Sequence, residues 1–183
     1  MSESTTTTIP AGTWTLDPAH SSVGFTVRHM MVSKVRGRFT DFSADIVTAA
    51  DPLQSRFDAT VQMASIETGD ANRDGHLRTN DFFDIEQFPT MTFRTTGITG
   101  SGSDYEITGD LTIRGVTKSV TFDLEYGGFG TDPWGNTRAG FTMTGTINRK
   151  DFGMTYNAVL ETGGVMVGDK VTVELDIEAT LQG

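Results

Sequence analysis

The densest chemistry in this chain lies in one short run, Arg73-Asp74-Gly75-His76-Leu77-Arg78-Thr79-Asn80-Asp81-Phe82-Phe83-Asp84, closed by Phe88-Pro89. It sets both signs of charge, a histidine and two aromatic rings side by side. One reading is a polar collar in which Arg73, His76 and Arg78 meet the oxygens of a ligand while Phe82 and Phe83 cover its apolar part. Arginine suits that task because its planar fork pairs oxygens bidentately. The other reading is a structural plug, with Asp74, Asp81 and Asp84 neutralising the arginines and both phenylalanines in the core. One observable separates them: a plug leaves no unpaired cation facing a cavity.

His20, His29 and His76, with Asp17, Asp74 and Asp81 near them in sequence, raise metal-assisted chemistry as an alternative. No histidine pair stands at i, i+2 on a strand or i, i+4 on a helix, so a metal site would need the fold to bring distant ligands together. The chain has no cysteine, which removes disulfides and thiolate chemistry. It contains no Gly-x-Ser-x-Gly elbow, no base beside a nucleophile and no P-loop. The expectation is therefore a protein that is not an enzyme, with no metal and no cofactor beyond a bound ligand. Arg28, Lys34, Arg36 and Arg38 form a local basic cluster whose parity puts it on the outer face of a hairpin. It is either a solvated surface or a peripheral contact with anionic lipid or a partner.

A net charge of -10 argues against nucleic acid as a partner, since phosphate neutralisation needs a basic surface. With 183 residues, 36% of them hydrophobic, one domain with a sizeable core is expected. The start of the chain, Met1 to Thr8, has neither a basic stretch nor an apolar one, so it does not read as a secretory signal and a cytoplasmic location is expected. No window approaches the roughly 18 apolar residues of a membrane span. Residues 1–12 read as a flexible tail, and residues 13–183 as the folded domain.

The elements that must position these groups are strands. Val120, Phe122, Leu124 and Tyr126 alternate with Thr121, Asp123 and Glu125, and Val171, Val173, Leu175 and Ile177 alternate with Thr172, Glu174 and Asp176. Such alternation means one dry and one wet face. Ile107, Leu111 and Ile113 repeat it, as do Phe141, Met143 and Ile147; Val23, Phe25, Val27 and His29; Val35 and Phe39; and Phe57, Ala59, Val61 and Met63. With a short strand at Phe93 this gives about eight strands, separated by turns at Gly100 to Asp104, Arg114-Gly115, Gly127-Gly128, Asp132 to Asn136 and Gly163-Gly164. Helix is confined to the 66–89 insertion, where Asp70 or Asn72 could cap one short helix and Asn80 a second, ending before Pro89.

The fold class is thus all-β: strands with one apolar face each must close into a barrel or stack as a sandwich. A single antiparallel β-barrel is favoured because the inward glycines, Gly37, Gly109 and Gly145, permit the coiling that closure needs, although such glycines equally mark bulges. Eight strands stand at the boundary between a filled interior and one that holds a small ligand. The inward list would line a cavity for an apolar molecule, or form a packed core that binds nothing. Gly163 to Gly168 reads as an apolar lid or a wide hairpin connection, and Trp134 as a rim contact or a packing anchor.

Several motifs together resemble the YceI family of lipocalin-like, isoprenoid-binding proteins. They are Leu16-Asp17-Pro18-Ala19-His20-Ser21 leading into Val23-Gly24-Phe25, His29 through Phe39, Arg73 through Arg78 with Asp81 through Asp84, Leu111 through Lys118, Trp134-Gly135-Asn136, Arg149 through Met154, and Val167-Gly168-Asp169. The resemblance implies an extended lipocalin-like barrel holding a polyisoprenoid along its interior, with the polar head near the mouth, and a homodimer. Many relatives are exported, whereas this sequence shows no signal. The resulting expectation is a non-catalytic carrier or store of an isoprenoid quinone or polyprenyl phosphate. Phe25, Val27, Phe122, Leu124, Tyr126, Phe141 and Met143 would line its channel, and His29, Arg73, His76 and Arg78 would meet the head under Phe82. The alternatives are a metal-assisted enzyme using the His and Asp residues of the mouth, and a stress-related interaction domain with a filled core.

Overall fold

The computed structural model describes residues 8–157 and 167–183. The alternating segments form β1 (Gly12–Leu16), β2 (Ser22–His29), β3 (Ser33–Phe39), β4 (Phe42–Thr48), β5 (Arg56–Gln62), β6 (Ile66–Glu67), β7 (Thr90–Ser101), β8 (Asp104–Ile113), β9 (Val116–Thr131), β10 (Thr137–Asn148) and β11 (Val167–Leu181), and among the described residues there is one α-helix, α1 (Ala71–Leu77). All strand pairs are antiparallel, and the sheet closes where Trp14 of β1 pairs with Leu181 of β11.

Three walls of the barrel are long strands broken in the middle. β1 and β2 both pair with β11, β4 and β3 pair with β1 and β2 in turn, and β5 and β6 with β4 and β3. Counted this way the closed barrel has eight strands. The first break falls at Asp17-Pro18, where proline has no N–H for the ladder and the Asp17 carboxylate caps a short 3-10 turn by accepting from the Ala19 N–H. α1 begins in the same fashion, with Asp70 accepting from the N–H groups of Asn72 and Arg73.

The register defines two ends. The near end gathers the β2–β3 and β8–β9 turns, the end of β10, the start of β11 and the insertion. The far end gathers Gly12, the 49–55 connection and the β7–β8 and β9–β10 turns. The core below the far end is built on Trp14, 2% exposed, whose Nε1–H donates to Thr48 Oγ1 at 2.9 Å. Thr48 in turn donates to the Pro10 carbonyl, and Ile9 packs on the core, so packing already includes residues assigned above to the tail.

The inward glycines have a steric explanation. A Cβ on Gly37 would collide with the Phe25 ring, one on Gly109 with Phe93, and one on Gly145 with Phe122. Each glycine leaves room for a phenylalanine of the neighbouring strand to lie across it, which lets the wall curve and fills the gap with an aromatic ring.

Three expectations need correction. Asn80 starts no second helix; residues 79–88 form consecutive turns in which Thr79 O accepts from the N–H groups of Phe82 and Asp84. The strand at Phe93 runs on to Ser101, because β7 pairs with β8 along a polar, Thr-rich stretch after β5 has diverged, and a bulge between Thr95 and Gly97 absorbs the twist. Gly127-Gly128 is no turn but part of β9, where it faces Gly140 beside a second register shift. Among the described residues no helix is long and apolar enough to cross a membrane.

Candidate functional site

The inward face of the barrel encloses two apolar chambers end to end. The near chamber, about 140 Å³, lies beneath the insertion, with Phe25, Val27, Phe82, Phe122 and Met143 among its walls. The far chamber, about 130 Å³, is bounded by Leu124, Tyr126, Phe141 and Met143, with Ile9 and Arg56 at its rim. Phe57 and Met143 belong to both and form the partition. An apolar cavity near 150 Å³ takes one benzene-sized molecule, so each chamber has room for roughly one group of that size without movement. The interior is therefore neither an open channel nor a filled core. Longer guests require the partition to shift, and Met143 is an unbranched thioether able to change rotamer.

The structure separates the candidate head-group residues from these walls. Arg73, His76, Arg78 and His29 line neither chamber. Arg73 donates through Nε to Thr68 Oγ1 and through Nη2 to the Thr68 carbonyl, both at 2.7 Å. Arg78 donates to the carbonyls of Ala64 and Ile66 at 3.1 and 3.2 Å. His76 Nε2 lies 2.8 Å from Asp81, and its ring packs edge-on against Phe82 and Tyr156. The insertion is thus tied down by carbonyls more than by its own aspartates; Asp74 accepts from the N–H and hydroxyl of Thr68 instead. His29 sits at the last rung of β2, opposite Ser33 and Val167, and its ring has no hydrogen bond among the described residues.

This architecture coincides with known proteins. The YceI-like domain model matches residues 14–179. A UPF0312 protein of Staphylococcus aureus (strain MSSA476) is 40% identical over 170 residues, 92% of this chain and 97% of that protein. The chain belongs to the YceI-like family. The crystal structure of Burkholderia cenocepacia BcnA superposes with a TM-score of 0.79 at 27% identity, over 90% of this chain and 99% of that one. A polyisoprenoid binding domain from Saccharophagus degradans shares the fold, with a TM-score of 0.70 at 15% identity, over 94% of this chain and all (100%) of that one.

Two residues of the YceI-like barrel that sequence reasoning left out of the site hold its near end together. Arg149, 3% exposed, borders the near chamber and donates to the carbonyls of Gly168, Met154, Tyr156 and Val167. Burial pushes its guanidinium below the ordinary arginine value, with Asp169 at 3.6 Å opposing that shift. Arg114, in the left-handed first position of the β8–β9 turn, donates to the carbonyls of Phe82 and Gly153. The motif around Arg149 was visible in the sequence; that its charge would be buried was not. Of the proposed lid, Gly163 to Met166 lie outside the described residues. Trp134 is 79% exposed and so is no packing anchor.

The basic cluster does face outward. Arg38 pairs with Glu67 at 3.0 Å, whereas Arg28, Lys34 and Arg36 have no ion pair among the described residues. Arg28 and Lys34 stand directly opposite each other on β2 and β3, an unfavourable juxtaposition of like charges. The turn they support carries Met30, Met31 and Val32, exposed by 43%, 59% and 85%, with both methionines in the left-handed region where asparagine and glycine are usual.

At the break between β1 and β2 the fold does assemble ligand-type groups. Asp17, His20 and Glu178 bring their donor atoms within 4.8 Å of one another. Asp17 Oδ2 is shared between His20 Nδ1 at 2.7 Å and Arg138 Nη1 at 2.8 Å, and Arg138 Nε reaches Asp132 at 2.8 Å. These contacts make an ion-pair network that pins the strand break to β10. Hydrogen bonds from His20 and then Arg138 hold Asp17 at a pKa of about 2, and the Arg138 bond does the same for Asp132. His20 is raised above 6.5, chiefly by its bond to Asp17. The stabilisation from the two aspartates is complete above pH 3.8 and lost as pH falls through about 2; that from His20 is complete below pH 6.5 and lost as pH rises through its raised value. Melting curves against pH should show His20→Gln least stable relative to the parent below pH 6.5 and converging with it at higher pH. A constant difference across that range would rule out the charged pair.

Proposed function

We propose that this YceI-like barrel takes up and carries a long apolar isoprenoid-type lipid, an isoprenoid quinone or a polyprenyl phosphate, without chemical turnover. The observation that carries this reading is the pair of apolar chambers stacked along the barrel and meeting at Phe57 and Met143, which line both. A chain threading past that partition would meet apolar walls at both levels, and would gain roughly 0.8 kcal/mol per buried CH₂. The shared fold with a polyisoprenoid binding domain supports the same ligand class. Catalysis by the histidines finds less support: His20 belongs to the β1–β2 break, while His29 and His76 lie at the near end, and none lines a chamber.

Loading from an anionic membrane surface through the β2–β3 turn fits its composition. Three apolar side chains at the tip would enter the interface, and the unpaired Arg28, Lys34 and Arg36 on its stem would meet lipid phosphates. Native mass spectrometry of protein purified from its own host, followed by organic extraction, is expected to reveal a co-purifying isoprenoid lipid. Uptake of that lipid from phosphatidylglycerol vesicles should slow as salt rises. Repeated recovery of lipid-free protein that takes up no isoprenoid would overturn the carrier reading.

A further inference from the structure

We infer that the polar end of the bound lipid seats in the far chamber, where an uncharged oxygen of the ligand, of the quinone-carbonyl type, accepts a hydrogen bond from the Tyr126 hydroxyl. This deepens the carrier reading and rests on it. It also moves head recognition to the end opposite the charged insertion.

Tyr126 lies on β9 opposite Phe141, and both line the far chamber. Its hydroxyl is shielded from solvent and has no hydrogen-bond partner among the described residues. A buried tyrosine hydroxyl ordinarily finds one, because leaving it unpaired is costly. The chamber is mostly apolar, with Ile46, Ile98, Ile107 and Leu124 in its lining, and the hydroxyls it also presents, on Thr8, Thr48, Ser55 and Tyr105, make no hydrogen bond with Tyr126. Burial, reinforced by Tyr105, pushes the phenol above its usual value, so it stays protonated and available as a donor.

Among the described residues of the near end no buried side-chain donor is left unpartnered, and His29, whose ring is unpaired, lines neither chamber. Arg73, Arg78, Arg114 and Arg149 are all engaged by backbone carbonyls. At the far rim, Arg56 is 56% exposed, with only a 3.6 Å approach to Asp58. The class of oxygen follows from the donor count. A phosphate brought into an apolar chamber needs several charge-assisted bonds, whereas one neutral hydroxyl matches one neutral acceptor. The apolar tail would then run past Met143 toward the near chamber.

The test titrates the parent protein and Tyr126→Phe with an isoprenoid quinone and with an isoprenoid hydrocarbon of matched length. Loss of the hydroxyl is expected to weaken the quinone about five- to tenfold and to leave the hydrocarbon essentially unchanged. Equal affinities of parent and variant for the quinone, or equal weakening of both ligands, would overturn the inference while leaving the carrier reading intact. Absence of binding by the parent for either ligand would overturn both. Melting of the ligand-free proteins gives an independent check: removing an unpaired hydroxyl should leave Tm unchanged or raise it, and a clear fall would show that the hydroxyl already has a partner inside the protein.

Discussion

Replacing Arg149 by methionine is expected to destabilise the barrel by about 3–5 kcal/mol, since several hydrogen bonds to a charged group, about 1.5–3 kcal/mol each, are lost together and buried carbonyls are left unpaired. Methionine preserves much of the apolar stem, so the loss reports the guanidinium. That group supplies four carbonyls, on Met154, Tyr156, Val167 and Gly168, from a position 3% exposed. Without it, the turn after β10 and the start of β11 lose a donor that they share. Asp169, at 3.6 Å and 42% exposed, contributes little by comparison and can rehydrate. Arg149→Lys should recover only part of the loss, since a single ammonium cannot span carbonyls on two segments as a planar fork does. For a chain of this size, Tm should fall on the order of 10 °C. Denaturant unfolding measures it, and a loss under about 1 kcal/mol would mean that water satisfies those carbonyls equally well.

Met143→Trp should have the largest effect on binding. Met143 is 1% exposed, pairs with Leu124 and Leu175 on its neighbouring strands, and forms the partition with Phe57. An indole there would spread into one or both chambers, so overpacking should cost only about 1–3 kcal/mol. A long polyprenyl chain would no longer pass between the chambers, and its affinity should drop on the order of a hundredfold, about 2.7 kcal/mol. A short isoprenoid alcohol that fills one chamber should keep most of its affinity. Unchanged binding of the long chain by a folded variant would show that the ligand does not thread past this position.

Much of the wall was legible in the sequence because strand geometry forces it. The alternation at Val120 to Tyr126 and at Val171 to Ile177 determines which side chains point inward, whatever the strands pair with. The inward glycines were legible as well, though not their purpose, since the phenylalanine lying across each one belongs to a different strand. The polar half of β7 and the Gly127-Gly128 segment of β9 were misread because Thr and Gly resemble turn chemistry until a partner strand is present.

The candidate site was less legible for a related reason. From the sequence, Arg73 and Arg78 had either a ligand's head or the insertion's own aspartates as partners, yet their bonds go to Ala64, Ile66 and Thr68 carbonyls. Any residue supplies a carbonyl, so composition cannot announce one. Arg149 was hidden in the same way.

By itself, then, the sequence determined an all-β chain of strands with one apolar, aromatic face and a charged insertion, because a period of two and an interrupted pattern are local properties. Only the tertiary structure decided that the interior is divided at Phe57 and Met143, that the insertion's arginines are spent on carbonyls, and that Tyr126 has a hydroxyl to offer. Those outcomes depend on how closely non-adjacent strands approach when the sheet closes on itself, a distance that no single segment encodes.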